Sequence, residues 1–353
     1  MKIYLVTGGC GFIGSNFIRF LFGQKSDVHV LNLDALTYAG NPMNLVDIEE
    51  KYSDRYTFIK GNITDEKLAN KVFDKYDIEC VIHFAAESHV DRSFGDPQLF
   101  MKTNVLGTSV LLHAAKDSWR EDEWNSKRFL HISTDEVYGS LPLDGEDRFT
   151  EDSPLKPRSP YAASKAAADL LIQSYFESFG FPALITRCSN NFGPYQYPEK
   201  LIPLMILNMK KEKPLPIYGN GFNIRDWIYA EDHCKALYSV LQNGQIGEIY
   251  NISGEHELDN ITLVNMLCEI VASLRNNNGD YYKKNITFIK DRPCHDLSYS
   301  MDCSKIQAET GWKPSHNFIK DLTSTVQWYL AQDKWIASFE NSLQEWINSH
   351  YYL

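Results

Sequence analysis

Residues 6–15 read VTGGCGFIGS, directly after the apolar run KIYLVT (2–7) and at the opening of a helix. Gly8, Gly11 and Gly14 fit T-G-x-x-G-x-x-G, and Gly9, Gly11 and Gly14 also fit G-x-G-x-x-G. Either register has the same physics: a tight turn, close approach of backbone to a pyrophosphate, and a helix N-terminus whose unpaired N–H groups favour an anion. A plain glycine turn has the same spacing, so a second feature has to decide. Asp34 supplies it by ending the run VHVLNLD (28–34), at the distance where an acid binds the adenosine ribose hydroxyls. A carboxylate there repels a 2′-phosphate. The expected cofactor is therefore NAD rather than NADP.

Working outward, short β-branched or apolar runs recur: KIYLVT, VHVLNL, YTFIKG, CVIHFA, RFLHIS and ALITR, separated by amphipathic stretches such as 97–117 and 160–179. This alternation predicts an α/β fold, a Rossmann-type doubly wound parallel sheet. After residue 190 the spacing becomes irregular. Pro and Gly concentrate in NNFGPYQYPEK and KPLPIYGNGFNIRDW, which read as binding loops, and helices are expected at 201–211, 262–274 and 319–331. The expected organisation is a dinucleotide-binding domain over 1–189, rejoined by a strand near 249–252, and a smaller mixed α/β substrate-binding region over 190–353. RNNNGDYYKKN (275–285) reads as a mobile surface loop, and no internal repeat is present.

Composition bounds the partners. With 353 residues, 43% of them hydrophobic, the chain can bury a sizeable core. A formal charge of −11 argues against a nucleic-acid surface, so basic residues around an anionic ligand must be local. Seven cysteines at 10, 80, 188, 234, 268, 294 and 303 form no C-x-x-C pair, which points to reduced thiols and no metal site. No run of eighteen apolar residues occurs, and MKIYLVTGG passes straight into the first strand, so no membrane and a cytoplasmic location are expected.

Two further motifs carry chemistry. In SPYAASKAAADLL, Tyr161 and Lys165 stand four apart on one helix face. An ammonium near the phenol favours the phenolate and makes the tyrosine a usable base. In HISTDEVYG (131–139), Thr134 ends a strand and is followed by two adjacent acids, Asp135 and Glu136. On a regular strand, neighbours point to opposite faces, so both acids reach one ligand only where the strand has already turned.

The glycine loop, STDEVYG and YAASK resemble the extended short-chain dehydrogenase/reductase superfamily. DALTYAGN, AAESHVDRS, RCSNNFGPYQYPEKLIPL, PLPIYGNGFNIRDWIYAEDH, NISG, DRPCHDLSYSMD and TGWKP narrow the resemblance to the dTDP-glucose 4,6-dehydratase family along nearly the whole chain. The resemblance implies a hydro-lyase that uses NAD to oxidise C4 of dTDP-glucose, eliminate water across C5 and C6, and reduce C6, giving a 4-keto-6-deoxy sugar. It also explains the paired acids. A 4-epimerase manages with the tyrosine, the lysine and the nicotinamide, whereas a dehydratase must also move a proton at C5 and expel the 6-hydroxyl.

The roles implied are Tyr161 as base for the 4-hydroxyl, Thr134 as its hydrogen-bond partner, and Lys165 serving the tyrosine and the nicotinamide ribose. Glu136 is the base at C5, and protonated Asp135 is the acid at the 6-hydroxyl, which requires environments that separate the two titrations. For the cofactor the resemblance implies Phe12, Ile13, Asn62, Ile63, Ala85, Ala86, Thr103 and Asn191 beside the glycines and Asp34. For the substrate it implies Ser88, Asn190, Lys200, Leu201, Pro216, Ile217, Tyr218, Arg225, Asn260, Arg292 and His295, the two arginines as diphosphate ligands. Ala35 and Asn62 depart from the family pattern on the adenosine side, Asn62 keeping a carbonyl acceptor. A homodimer through 97–117 and 160–179 is also implied. A dehydratase of UDP- or CDP-glucose, a 4-epimerase and a catalytically silent NAD-binding protein are the rival readings.

Overall fold

The computed structural model describes residues 1–143, 147–315 and 317–339; the end of the expected second region, 340–353, lies outside them. The strands in chain order are β1 (Lys2–Thr7), β2 (Val28–Asp34), β3 (Tyr56–Lys60), β4 (Ile78–His83), β5 (Arg128–Thr134), β6 (Ala183–Cys188), β7 (Asn190–Phe192), β8 (Leu215–Tyr218), β9 (Ile224–Tyr229), β10 (Ile249–Ile252), β11 (Glu257–Asp259) and β12 (Ile286–Ile289). Seven of them form a sheet in the order β10-β6-β5-β4-β1-β2-β3, and every pairing in it is parallel. Helices on both faces bury these strands, which is why their sequences are nearly continuous hydrophobic runs. The strand order reverses between β1 and β4, the place where such sheets bind ligands at their carboxyl ends.

The second region is less loop-like than its sequence suggests. The stretch NNFGPYQYPEK contributes β7, and KPLPIYGNGFNIRDW contributes β8 and β9. β9 pairs with β7 and β11, and β8 pairs in parallel with β12. Expected as a mobile surface loop, 275–285 instead contains the helix Gly279–Lys283 with Tyr282 buried. The tyrosine supplies enough apolar surface to hold the segment down. The other helices expected there run Leu201–Lys210, Asn260–Leu274 and Phe318–Ala331.

The two regions have separate cores. The sheet is packed on both faces, Val6 and Leu130 in one cluster and Leu5, Leu31 and Val81 in another, all inaccessible to solvent; the second region gathers Phe192, Met205, Leu263, Leu267, Val326 and Trp335. Tyr38 and Ala39, in the loop after β2, pack against the second core and tie the two regions together beside the glycine turn.

Two local devices fix the site. The helix Pro160–Phe179 starts sharply because Ser159 accepts from the Ala162 N–H at 3.0 Å and Pro160 occupies the first turn. Tyr161 and Lys165 are thereby locked at its N-terminal end. Beneath them a buried network joins helix, sheet and turn. Arg187 Nε of β6 donates to Asp169 at 2.9 Å, its Nη1 donates to the Tyr138 hydroxyl at 2.9 Å, and Tyr138 donates to Asn251 of β10 at 2.7 Å. Removing Asp169 would leave a buried guanidinium uncompensated, a loss of about 3–5 kcal/mol. The stretch 97–117 is helical as expected but contains a wide turn over Met101–Leu106, flanked by Pro97–Phe100 and Gly107–Ser118. Such turns recur at functional sites. This one sets Asn104 to bond the Glu87 backbone and the Ser164 hydroxyl, between Tyr161 and Lys165 in sequence.

Candidate active site

A cavity of about 450 Å³ runs along the carboxyl ends of the sheet and under the second region. Apart from Gly9, every candidate residue named from the sequence lies on its wall. Gly8, Gly11, Phe12, Ile13, Gly14, Asp34, Asn62, Ile63, Ala85, Ala86, Thr103 and Asn191 line the sheet side. Ser88, Asn190, Lys200, Leu201, Pro216, Ile217, Tyr218, Arg225, Asn260, Arg292 and His295 line it with the second region, and Thr134, Asp135, Glu136, Tyr161 and Lys165 complete it.

At the glycine turn, Gly8 has φ +70° and a Cβ there would sit 2.7 Å from the Ala85 nitrogen, so both conformation and space require glycine. The helix that follows begins at Gly11 with no side-chain cap, leaving its first N–H groups facing the cavity mouth. Asp34 accepts from the Cys10 N–H through Oδ2 and the Leu36 N–H through Oδ1, both at 2.8 Å. The acid thus holds the turn as well as lining the cavity. Burial raises its pKa, and the two N–H donors oppose the rise. Asn62 differs from expectation: its carbonyl oxygen accepts from Thr64 N–H at 3.0 Å and Thr64 Oγ1 at 2.9 Å, closing a local turn. Both lone pairs are then engaged locally. These walls, a bare helix N-terminus and a buried acid at the end of β2, fit a dinucleotide.

The lysine and tyrosine arrangement departs from the simple expectation. Lys165 Nζ donates to Ile132 O at 2.7 Å and lies 3.1 Å from His131 Nε2. Burial lowers its pKa to about 8, with Asp169 opposing. Tyr161 is buried, and that burial, reinforced by the Glu136 charge, raises its phenol well above 10, while the Thr134 side chain beside it favours the phenolate. In the protein alone desolvation dominates. A depressed phenol therefore requires additional positive charge in the cavity.

The paired acids sit where β5 breaks. Thr134 ends the strand, its Oγ1 accepts from the Glu136 N–H at 3.3 Å, and Asp135–Tyr138 form one helical turn. Gly139 leaves this turn at φ +92°, where a Cβ would lie 2.5 Å from Lys156 O. The turn brings both carboxyls to one cavity. Asp135 is raised well above its usual value by burial and then by the Glu136 charge; its Oδ1 accepts from Thr134 Oγ1 at 3.1 Å, and its Oδ2 is buried with no hydrogen-bond partner. Glu136 is raised by burial to only about 6, because Lys200 and Arg225 pull it back. Burial thus favours the protonated form of Asp135, while the cations favour the carboxylate of Glu136.

At the far end, cations gather on an otherwise acidic chain. Lys200 Nζ donates to Ser88 O at 3.1 Å; Arg225 lies 4.6 Å from the Tyr299 ring centre and donates to Asp296 O; Arg292 lies 4.5 Å from that of Tyr218 and 3.4 Å from Asp91. His295, bonded to Asp291 at 2.6 Å, is pushed down to about 4 by burial and the two arginines, so it is neutral.

Sequence reasoning missed three residues here. His131, under Lys165, was visible only as the first letter of HISTDEVYG. Tyr299, whose phenol responds to both Glu136 and Asp135, was hidden in DLSYSMD. Glu199, which receives Arg92 at 3.2 Å behind Lys200, reads as a solvated loop acid but is 3% exposed. Among the described residues no group of His, Cys, Asp and Glu gathers as metal ligands, and no helix is long and apolar enough to cross a membrane.

The family profile described as GDP-mannose 4,6 dehydratase matches residues 5–325. The dTDP-glucose 4,6-dehydratase of Salmonella typhimurium is 46% identical over 99% of both chains, and that of Haemophilus influenzae is 49% identical over 94% of this chain and 98% of its own. The fold is similar to that of the Streptomyces venezuelae dTDP-glucose 4,6-dehydratase DesIV, solved with NAD bound (TM-score 0.85, 42% identity, 95% and 98% of the two chains). It is also similar to that of a Thermotoga maritima UDP-glucose 4-epimerase with UDP-glucose (TM-score 0.82, 25% identity, 93% and 99%).

The separated carboxyls generate a spectroscopic expectation. Infrared titration of the purified protein should show one protonated-carboxyl band that persists at pH 7 and is absent from Asp135→Asn. A second should vanish with a midpoint near pH 6 and be absent from Glu136→Gln. Both acids titrating together below pH 5 would contradict the assignment.

Proposed function

Since the chain belongs to the dTDP-glucose 4,6-dehydratase family, we infer that it is an NAD-dependent hydro-lyase converting dTDP-glucose to dTDP-4-keto-6-deoxyglucose. The observation that carries this reading over a 4-epimerase is the pair of carboxyls in the turn after β5, Asp135 buried and pushed toward its protonated form, Glu136 half-buried with Lys200 and Arg225 favouring its carboxylate. An epimerase has no step for them.

NAD held in this cavity would supply the hydride acceptor for C4 and the hydride donor for C6. Gly8, Gly11, Gly14 and the first turn of the helix Phe12–Gln24 hold the pyrophosphate, and Asp34 the adenosine ribose. Tyr161 Oη takes the proton of the 4-hydroxyl, with Thr134 beside it and Lys165 fixed by Ile132 O and His131. The 4-ketone acidifies C5–H, Glu136 removes that proton and later returns it, and Asp135 protonates the departing O6. Lys200, Arg225 and Arg292 supply the local positive field for the diphosphate. Residues 1–189 with β10 form the cofactor-binding part, and the described residues from 190 onward otherwise carry the substrate contacts. Seven unpaired cysteines support a reducing, cytoplasmic setting.

Exposed apolar side chains on the two helices flanking the site support a homodimer. Leu99, Met101 and Leu106 lie on the 97–118 segment, and Leu170, 57% exposed, lies on Pro160–Phe179. Light scattering should give twice the 40.6 kDa chain mass; monomer alone at micromolar concentration contradicts this.

The function is tested by incubating the enzyme with dTDP-, UDP-, CDP- and GDP-glucose. Only the dTDP sugar should lose one water at a substantial rate, and Glu136→Gln should slow that loss about 100- to 10,000-fold. Equal conversion of UDP-glucose would reassign the nucleotide, and unchanged dehydration by the variant would remove Glu136 from its role.

A further inference from the structure

Three separate stretches of chain meet at the cofactor end of the cavity: the segment after β4 with Ala85, the wide turn with Thr103, and the first turns of the helix that carries Tyr161. A single row of buried hydrogen bonds runs through all three, and the direction of every bond in it is forced. Ser164 Oγ donates to Tyr161 O at 2.7 Å, so it accepts from Asn104 Nδ2 at 2.8 Å. Asn104 Nδ2 also donates to Glu87 O at 2.9 Å, and Asn104 Oδ1 accepts from the Glu87 N–H at 2.8 Å. Thr108 Oγ1 donates to Asn104 O at 2.6 Å, a carbonyl that can only accept. His83 Nε2, 2.9 Å from Thr108 Oγ1, must then be the donor between these two, which places the ring's one hydrogen there. Nδ1 is bare and accepts from Thr7 Oγ1 at 2.7 Å, whose lone pair receives the Ala85 N–H at 3.3 Å.

Thr7, His83, Asn104, Thr108 and Ser164 are each at most 1% exposed, so none of them can turn to solvent instead. Burial, reinforced by the charge of Lys165, holds the imidazole neutral, its pKa pushed down to about 3. His83 does not line the cavity, yet both of its neighbours along the row reach the wall. Thr7 precedes Gly8, and a Cβ at Gly8 would lie 2.7 Å from the Ala85 nitrogen, so the glycine turn rests directly on the segment that the row secures. Thr108 holds the carbonyl of Asn104, next to Thr103.

With NAD as the occupant of the cavity, as inferred above, we propose that His83 is a positioning residue for the cofactor: as a neutral Nε2–H tautomer it sets the spacing of the glycine turn, Ala85, Thr103 and the Tyr161 helix, and so retains NAD through the whole cycle. Retention matters in this reaction because the hydride removed from C4 must still be in the site when C6 is reduced. A wall fixed in advance loses less freedom on binding and releases its ligand more slowly.

His83→Leu removes both ring contacts, and His83→Gln keeps a donor where Nε2 stands. Thr108→Val leaves the ring in place, cuts the row at its next member, and carries the test if His83→Leu fails to fold. Exchange of bound NAD for isotopically labelled NAD is measured on each purified holoenzyme, beside calorimetric binding of dTDP. His83→Leu should exchange NAD about tenfold faster than wild type, the size expected for one hydrogen bond. Thr108→Val should act in the same direction, and His83→Gln should recover most of the difference. Affinity for dTDP should stay within about twofold throughout, because Lys200, Arg225 and Arg292 stand on other elements. NAD exchange at the wild-type rate in the folded variants, or NAD and dTDP weakened by the same factor, would overturn the role of His83 and leave the dehydratase reading intact. Nitrogen magnetic resonance showing the His83 hydrogen on Nδ1 would do the same. Wild-type protein that holds no NAD would instead overturn the cofactor reading, and this role with it.

Discussion

Taking two neighbouring carboxyls out of water is tolerable only if one of them surrenders its charge, and the rest of this site is arranged around that cost. Asp135 and Glu136 share one buried turn. Glu136 has Lys200 as well as Arg225 to offset its charge, whereas Asp135 has a threonine hydroxyl, the pull of Arg225 and an unpartnered oxygen. The proton therefore settles on Asp135. An acid and a base stand side by side because their surroundings differ, not their side-chain chemistry.

The sheet makes this possible. Reversal of strand order between β1 and β4 brings the carboxyl ends of β1, β2, β4, β5 and β6 to one cavity, so the glycine turn, Asp34, Ala85, Thr134 and Asn190 face one another although they are far apart in sequence. The second region closes that cavity and supplies the cations. The buried Asp169–Arg187–Tyr138–Asn251 network ties the catalytic helix to the turn carrying the acids.

The parallel sheet was legible because each of its first six strands is an apolar run bounded by turn residues, and the glycine turn because its spacing is dictated by backbone contact. Short-range pattern fails in the second region. β7, β8 and β9 carry Asn, Pro and Arg that read as loop, and their pairing comes from partners distant in sequence. Tyr161 and Lys165 were found by spacing, but spacing does not show that Lys165 turns to Ile132 O and His131, or that burial raises the phenol. Asn62 likewise retained the right atom and spent it on Thr64. Motifs located these side chains; only their surroundings set their protonation.

The central claim is that Glu136 exchanges a proton at C5 while the hydrogen of C4 travels to C6 without meeting solvent. Conversion of dTDP-glucose in deuterated water, followed by magnetic resonance of the product, tests it most directly. The account requires one deuterium at C5 and none at C6. Deuterium at C6, or a C5 that carries only hydrogen, would contradict it.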